Sequence, residues 1–117
     1  MSGKLENIFY AQSLFQGKVE GKLPHDDPNK FHYHITSMVE ELGEVLKADK
    51  RWKTHRNTTY VKQEKLDELA DVFITAINLS LWSGIGPEQM FDAIENKIVE
   101  NNKRIDGSKS YAKSYWS

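Results

Sequence analysis

The stretch ITSMVEELGEVL, residues 35–46, decides the fold class of this 117-residue chain. Its apolar side chains recur three and four positions apart, which is the period of an amphipathic helix. They are Ile35, Met38, Val39, Leu42, Val45 and Leu46. We therefore predict a helix over residues 31–49. Its three glutamates, Glu40, Glu41 and Glu44, form either an ordinary solvent-facing stripe or one half of a metal site.

Three further helices are predicted around this one. Leu5, Ile8, Phe9 and Phe15 indicate a short first helix that ends near Gly17. Residues 17–30 contain two glycines and two prolines and are typical of a loop.

A third helix should be capped at Thr58 or Thr59 and reach about Ser83, and a fourth should begin at Pro87. No strand-like alternation is evident, so we expect an all-α fold, a helical bundle of four to five helices.

The composition excludes several functional classes. Sixteen Lys and Arg against seventeen Asp and Glu leave a net charge of −1, so we expect neither a nucleic-acid partner nor a membrane partner. The chain has no cysteine, which excludes thiolate metal ligands and fits a cytoplasmic location. We expect one domain over residues 1–117, with its core at 31–105. The tail, residues 106–117, is either a loose end or a strap across a partner.

The predicted third helix favours the metal site. Apolar residues cover most of its circumference, so we expect it to be largely buried. The narrow remaining wedge is polar. It contains Glu64, Asp67, Glu68, Asp71, Thr75 and Asn78. Buried carboxylates need a positive partner, yet the neighbouring helix offers Glu40, Glu41 and Glu44. A divalent cation between the two helices would resolve the repulsion.

The spacing of these carboxylates suits such an ion. Glu41 and Glu44 are three positions apart, as are Glu68 and Asp71, so each pair projects from one face of its helix. Carboxylate oxygens are ligands for hard cations such as Mg²⁺ or Mn²⁺. Magnesium sites commonly take phosphate oxygens as their remaining ligands, so phosphate chemistry is the natural expectation.

The sequence resembles a known enzyme family at these positions. EELGE, residues 40–44, followed by ELAD, residues 68–71, resembles the EExxE…ExxD signature of the MazG-like all-α nucleoside triphosphate pyrophosphohydrolases. Downstream, Lys97, Asn101 and Arg104 in KIVENNKR fall on the family's K-xxx-N-xx-R pattern. The similarity extends over about residues 31–105.

The resemblance implies an activity and a set of roles. Family members hydrolyse nucleoside triphosphates, often noncanonical or deoxy forms, to the monophosphate and pyrophosphate, and they are homodimers or homotetramers. The resemblance implies that Glu41, Glu44, Glu68 and Asp71 hold Mg²⁺ and that Glu40 is a further ligand or orients the water. Lys97 and Arg104 would contact phosphates, Asn78 the sugar or base, and Trp52 would stack on the base.

Several of these residues have structural alternatives. Asn101 lies among the apolar positions of its helix and would equally bond a neighbouring backbone group. Lys97 and Arg104 would equally be solvated, and Trp52 would equally cover the edge of the core. The basic residues of the loop after the second helix are well placed to steer a triphosphate. They are Lys50, Arg51, Lys53, His55 and Arg56.

Other functions remain open at this stage. The HDD triplet at 25–27, with His32 and His34, resembles part of an HD-type phosphohydrolase site, but no histidine precedes His25 and the triplet lies in a proline-rich loop. A phosphoribosyl-ATP pyrophosphohydrolase is a second alternative. A non-enzymatic helical dimer whose acidic groove binds a basic partner is a third.

Overall fold

The computed structural model describes residues 3–52 and 59–107, and these residues form four helices and no strand. The helices are α1 (Lys4–Glu20), α2 (Pro28–Asp49), α3 (Lys62–Leu81) and α4 (Pro87–Gly107). The all-α expectation is confirmed. None of these four helices combines the length and the apolar character that a membrane span requires.

The first helix is longer than the sequence predicts. It passes through Gly17 and ends at Glu20, and Gly21 follows with a φ of 80°, the left-handed conformation that closes many helices. An internal glycine weakens a helix by about 1 kcal/mol but does not stop it. Glycine at position 17 allows Leu23 to pack closely against the helix, because a Cβ there would lie only 2.9 Å from Leu23 Cδ2.

The second helix starts at Pro28, three residues before the predicted start. Asp27 caps it by accepting hydrogen bonds from the backbone N–H groups of Asn29 and Lys30. Proline suits the first helical position because the missing N–H would have no partner there. Asp27, the last residue of the HDD triplet, therefore has a structural role.

The third helix begins later than predicted. Val61, in an extended conformation, precedes its first residue, Lys62. Thr59 is not helical, and Thr58 lies outside the described residues. The helix ends at Leu81, two residues before the predicted end. The fourth helix begins at Pro87 as predicted and continues to Gly107.

The chain divides into two units, Met1–Gly86 and Pro87–Ser117. In the first unit α2 packs along α3, and α1 also contacts α3. The second unit contains α4. The expectation of one domain over residues 1–117 stays a prediction.

The interior of the first unit is unusually polar. Among the described residues only Phe9 and Trp82 are buried apolar side chains, whereas the buried polar side chains are Gln16, His34, Thr75, Asn78 and Ser80. Trp82 is fully buried.

The prediction that the third helix is largely buried is therefore wrong for the single chain. Leu66 and Phe73 on α3 are 55% and 70% exposed. Of the polar wedge, Thr75 and Asn78 are buried, and together with Asp71 they line a cavity that α1 and α2 also line.

Candidate metal and substrate site

Helices α2 and α3 bring three carboxylates together. Glu41, Glu68 and Asp71 each offer one oxygen, and these oxygens all lie within 4.8 Å of one another. Glu68 and Asp71 project from successive turns of α3, and Glu41 comes from α2. We call these three residues the acidic cluster. Residues 3–52 and 59–107 contain no other group of this kind built from histidine, aspartate or glutamate.

The acidic cluster is electrostatically crowded. Burial raises the pKa of Glu41, and the negative charges of Asp71 and Glu68 raise it further. Glu44 and Glu40 add smaller contributions of the same sign. No lysine or arginine in the described part of the chain forms an ion pair with any member of the cluster. Neighbouring like charges without a protein cation are a favourable place for a bound one.

Two predicted acidic residues lie beside this cluster. Glu44 and Glu40 are exposed on α2 and act on Glu41 through their charge. They are not part of the group of oxygens within 4.8 Å. The role of Glu44 as a metal ligand and that of Glu40 as a ligand or water-orienting group stay predictions.

A cavity of about 600 Å³ lies beside the acidic cluster. All three helices of the first unit line it, and Glu41 and Asp71 are part of its wall. Along α3 the lining continues from Asp71 through Thr75 to Asn78. Because these positions recur at intervals of three or four, they lie on one face of the helix, and the cavity follows that face.

The polar groups in this wall are partly satisfied by the protein. Gln12 Nε2 donates a hydrogen bond to Asn78 Oδ1 at 3.0 Å. The Thr75 hydroxyl donates to the backbone carbonyl of Asp71 at 2.9 Å. The amide of Gln16 makes no hydrogen bond to the residues that the structure describes, although its side chain is buried and lines the cavity.

A triad of Glu20, Lys30 and His34 connects α1 with α2 in the same wall. Lys30 Nζ lies 2.6 Å from Glu20 Oε1, and His34 Nε2 lies 3.5 Å from Glu20 Oε2. Hydrogen bonding to Glu20 raises the pKa of Lys30. The His34 ring stacks on buried Trp82, with ring centroids 6.4 Å apart. This triad fixes the last residue of α1 against the first turns of α2.

The region after α2 has its own set of contacts. The Trp52 indole N–H donates to the Leu46 carbonyl at 2.7 Å, and its side chain is half exposed. The Arg51 guanidinium donates two hydrogen bonds to the Asp49 carboxylate, and Lys50 Nζ lies 3.5 Å from Glu64 Oε2. These basic side chains are thus paired with acids. Lys53, His55 and Arg56 lie outside the described residues, and base stacking by Trp52 stays a prediction.

The predicted phosphate contacts lie on α4, in the second unit. Arg104 Nη2 lies 2.6 Å from Glu100 Oε1, and Lys97 Nζ lies 3.8 Å from the same oxygen. Asn101 Oδ1 accepts a hydrogen bond from Arg104 Nη1 at 3.5 Å. All three side chains are exposed. Their contacts with substrate stay predictions.

Sequence reasoning did not find Gln12 or Gln16, and it considered His34 only for an HD-type site. A signal was present, because Gln12, Gln16 and Glu20 recur every four residues, as one face of a helix requires. His34 likewise precedes Glu41 by two helical turns. These positions are interpretable only once the cavity is known.

Comparison with protein-family models, with curated proteins and with solved structures found no match for this chain.

Proposed function

We propose that this chain is a divalent-cation-dependent nucleoside triphosphate pyrophosphohydrolase, which cleaves at the α-phosphorus to give the monophosphate and pyrophosphate. The observation that carries the proposal is the convergence of Glu41, Glu68 and Asp71 within 4.8 Å, without a lysine or arginine paired to them in the described residues. The cavity beside them supports it, because small-molecule sites are concave and of this size. The MazG-like motif adds the reaction type.

The donor set fits Mg²⁺, with Mn²⁺ as an alternative. Both ions prefer oxygen ligands, and Mg²⁺ is usually held by a few carboxylates together with waters and phosphate oxygens. Glu41, Glu68 and Asp71 would hold the ion, with Glu44 as a fourth ligand. When bound, Mg²⁺ supplies charge neutralisation for the phosphates and acidifies a water.

The remaining roles belong to the chain's own residues. Glu40, exposed beside the cluster, would orient the attacking water and accept its proton. Lys97 and Arg104 would bind phosphate oxygens, and Asn101 would hold Arg104 in position through the hydrogen bond between them. Trp52 would offer a ring on which a base can stack.

The proposal is tested by incubating the protein with ribo- and deoxynucleoside triphosphates, and with phosphoribosyl-ATP, in the presence of Mg²⁺ or Mn²⁺. We expect monophosphate and pyrophosphate, and no turnover with a chelator. Release of orthophosphate from the terminal position would contradict the proposal. Absence of any turnover would favour an acidic groove that binds a basic partner.

We also propose that the protein is a homodimer or homotetramer. Val39, Leu42 and Leu46 on α2 and Leu66 and Phe73 on α3 are all at least half exposed. Large exposed apolar surfaces on soluble domains commonly mark interfaces. Light scattering at micromolar concentration should give a mass of two or four chains, and F73E should lower it while leaving the helical circular dichroism unchanged. A monomeric wild type would contradict the proposal.

A further inference from the structure

Three buried polar atoms meet where the end of α1 rests against α2. They are Glu20 Oε2, His34 Nε2 and Trp82 Nε1, and they are the buried side-chain nitrogens and oxygens without a hydrogen-bond partner in the part of the chain that the structure describes. The His34 ring stacks on Trp82, and its Nε2 lies 3.5 Å from Glu20 Oε2, so the three atoms belong to one contact region. We call Glu20, Lys30, His34 and Trp82 the α1 joint.

The α1 joint holds α1 through an incompletely paired polar network. Its shortest contact joins Glu20 Oε1 to Lys30 Nζ at 2.6 Å. The Glu20 and His34 side chains are only 9% and 6% exposed, so bulk water does not reach the unpaired atoms. Buried polar atoms without partners cost free energy, and a partly satisfied network is less favourable than an apolar contact of the same shape. Separation of α1 from α2 would return Glu20 and His34 to water and remove this cost.

Apolar packing adds little to the docking of α1. Of the apolar side chains of this helix, all of whose residues the structure describes, only Phe9 is buried. Phe15 and Val19 are 55% and 64% exposed. The hydrogen bond from Gln12 to Asn78 joins α1 to α3. A segment with few buried apolar contacts opens at a lower free energy than the rest of its domain.

The connection between α1 and α2 contains a suitable pivot. Leu23 packs so closely on Gly17 that it belongs to the α1 side, because a Cβ at position 17 would lie 2.9 Å from its side chain. On the other side Asp27 is fixed, because it caps α2 and its backbone N–H donates to the Trp82 carbonyl at 3.0 Å. Residues 24–26, between these two anchors, are not helical. Hinges commonly consist of a few such loop residues at the ends of elements.

The first helix is also one wall of the cavity. Gln12, Phe15 and Val19 are among its lining residues there. By contrast, α2 and α3 pack along each other, and Lys65 Nζ of α3 lies 2.8 Å from Asp49 Oδ2 of α2. A rotation of α1 about residues 24–26 would therefore open the cavity and leave the other two walls in place. Segments that cover ligand sites in this way are drawn from the least stable parts of a domain.

We propose that α1 is a lid that opens about residues 24–26 while α2 and α3 stay packed, and that this opening controls access to the cavity. The α1 joint sets how readily the lid opens, because its unpaired atoms lower the free energy needed to separate the helices. The opening itself requires no ligand. That the ligand is a nucleotide rests on the proposed function.

Amide hydrogen exchange of the full-length, metal-free protein, followed by mass spectrometry, tests the lid. We expect amides in α1 to exchange at least about 10-fold faster than those in the middle turns of α3, which corresponds to roughly 1.4 kcal/mol in the free energy of opening. E20M/H34L replaces both polar side chains with apolar ones of similar size, and Lys30, whose side chain is 36% exposed, stays hydrated. Exchange in α1 should slow by at least about 10-fold in this variant and stay unchanged in α3.

A matched control makes the same two changes at exposed positions. E64M/H32L alters a glutamate and a histidine that both face solvent, so α1 should exchange as in wild type. Equal exchange rates in α1 and α3 of wild type would overturn the lid, and so would α1 exchange in folded E20M/H34L that is as fast as in wild type. If E20M/H34L does not fold, the comparison of α1 with α3 in wild type decides.

A ligand arm separates the lid from the proposed function. The probe is a deoxynucleoside triphosphate with a methylene group in place of the α,β-bridging oxygen, added with Mg²⁺ at about ten times its dissociation constant. It should slow exchange in α1 of wild type by about 10-fold, because it binds the closed form. Fast exchange in α1 that E20M/H34L slows but this probe does not would retain the lid and count against a nucleotide as its ligand.

Discussion

Two carboxylates on α2, Glu41 and Asp49, have opposite environments. Asp49, in the last turn, accepts two hydrogen bonds from the Arg51 guanidinium and one from its backbone N–H, and Lys65 Nζ of α3 lies 2.8 Å away. The hydrogen bonds from Arg51 and Lys65 hold its pKa well below the usual range. Glu41, two turns earlier, faces Glu68 and Asp71, and burial and these charges raise its pKa.

The difference distinguishes a structural acid from one available to a ligand. At Asp49 the chain supplies its own cations, and Arg51 also lies 4.0 Å from the centre of the Tyr60 ring, so the contacts join the end of α2 to the start of α3. At Glu41 the chain adds further negative charge. Repulsion without compensation is selected against unless a function depends on it. We therefore interpret Asp49 with Arg51 and Lys65 as a structural ion-pair cluster, which we call the clasp. We interpret Glu41 as part of a cation site.

The largest expected effect is on activity. D71N keeps the shape of the side chain and removes one ligand charge, so turnover of nucleoside triphosphates should fall by at least about 100-fold, as for loss of a group essential to transition-state charge stabilisation. D49N makes the same chemical change in the clasp and should stay within about threefold of wild type. Steady-state pyrophosphate release measures both. Equal losses of turnover in D71N and D49N would show that the acidic cluster matters no more for activity than the clasp does.

The second effect is the response to Mg²⁺. An ion that binds the folded protein stabilises it by about 2.7 kcal/mol at 100 times its dissociation constant. Wild type and D49N should both show a melting temperature several degrees higher with saturating Mg²⁺, and E68Q should lose most of this rise. E64Q is the control on α3, because Glu64 is exposed and its contact with Lys50 is a surface ion pair. If E68Q kept the full rise in melting temperature with Mg²⁺, Glu68 would not be a ligand of the ion and the proposed site would be wrong.

The all-α fold, the end of α2 at Asp49 and the start of α4 at Pro87 could be predicted because they depend on local signals. Residues 35–46 carry their helical period in the sequence, and Pro87 starts a helix as expected. The prediction that the first helix ends near Gly17 is wrong. Glycine at this position allows the close approach of Leu23, a contact that sequence alone does not reveal. The exposure of Phe73 depends on which helices cover α3, which is a property of tertiary packing.

The acidic cluster of the candidate site could also be predicted from the sequence. Glu41, Glu68 and Asp71 follow from helical spacing and like-charge repulsion, and the structure brings their oxygens together. Gln12 and Gln16 did not follow, because a glutamine on a helix is ordinary until its place in the wall of a cavity is known.

A third effect concerns stability without metal. E41Q replaces a carboxyl group whose ionised form is disfavoured by burial and by its acidic neighbours. The free energy of unfolding of the metal-free variant should therefore equal that of wild type or exceed it by up to about 1 kcal/mol. D49N removes the negative charge that Arg51 and Lys65 pair with and one of the two acceptor oxygens, so it should be less stable than wild type. Urea unfolding at pH 7 with a chelator gives both values. A destabilised E41Q would mean that Glu41 has a protein partner.

The smallest effect is the dependence of the clasp on pH. Because the folded pKa of Asp49 lies below its unfolded value, the folded state releases the proton more readily than the unfolded state does. The stabilisation is therefore fully present above the unfolded pKa of about 3.9, and it is lost as the pH falls through the folded pKa. The difference in melting temperature between wild type and D49N, a few degrees at most for exposed ion pairs, should be constant from pH 7 to about pH 5 and shrink below that. D92N, which makes the same chemical change at an exposed aspartate on α4, serves as the control. A difference between wild type and D49N that persists unchanged into acid would mean that the ionised form of Asp49 does not hold the two helices together.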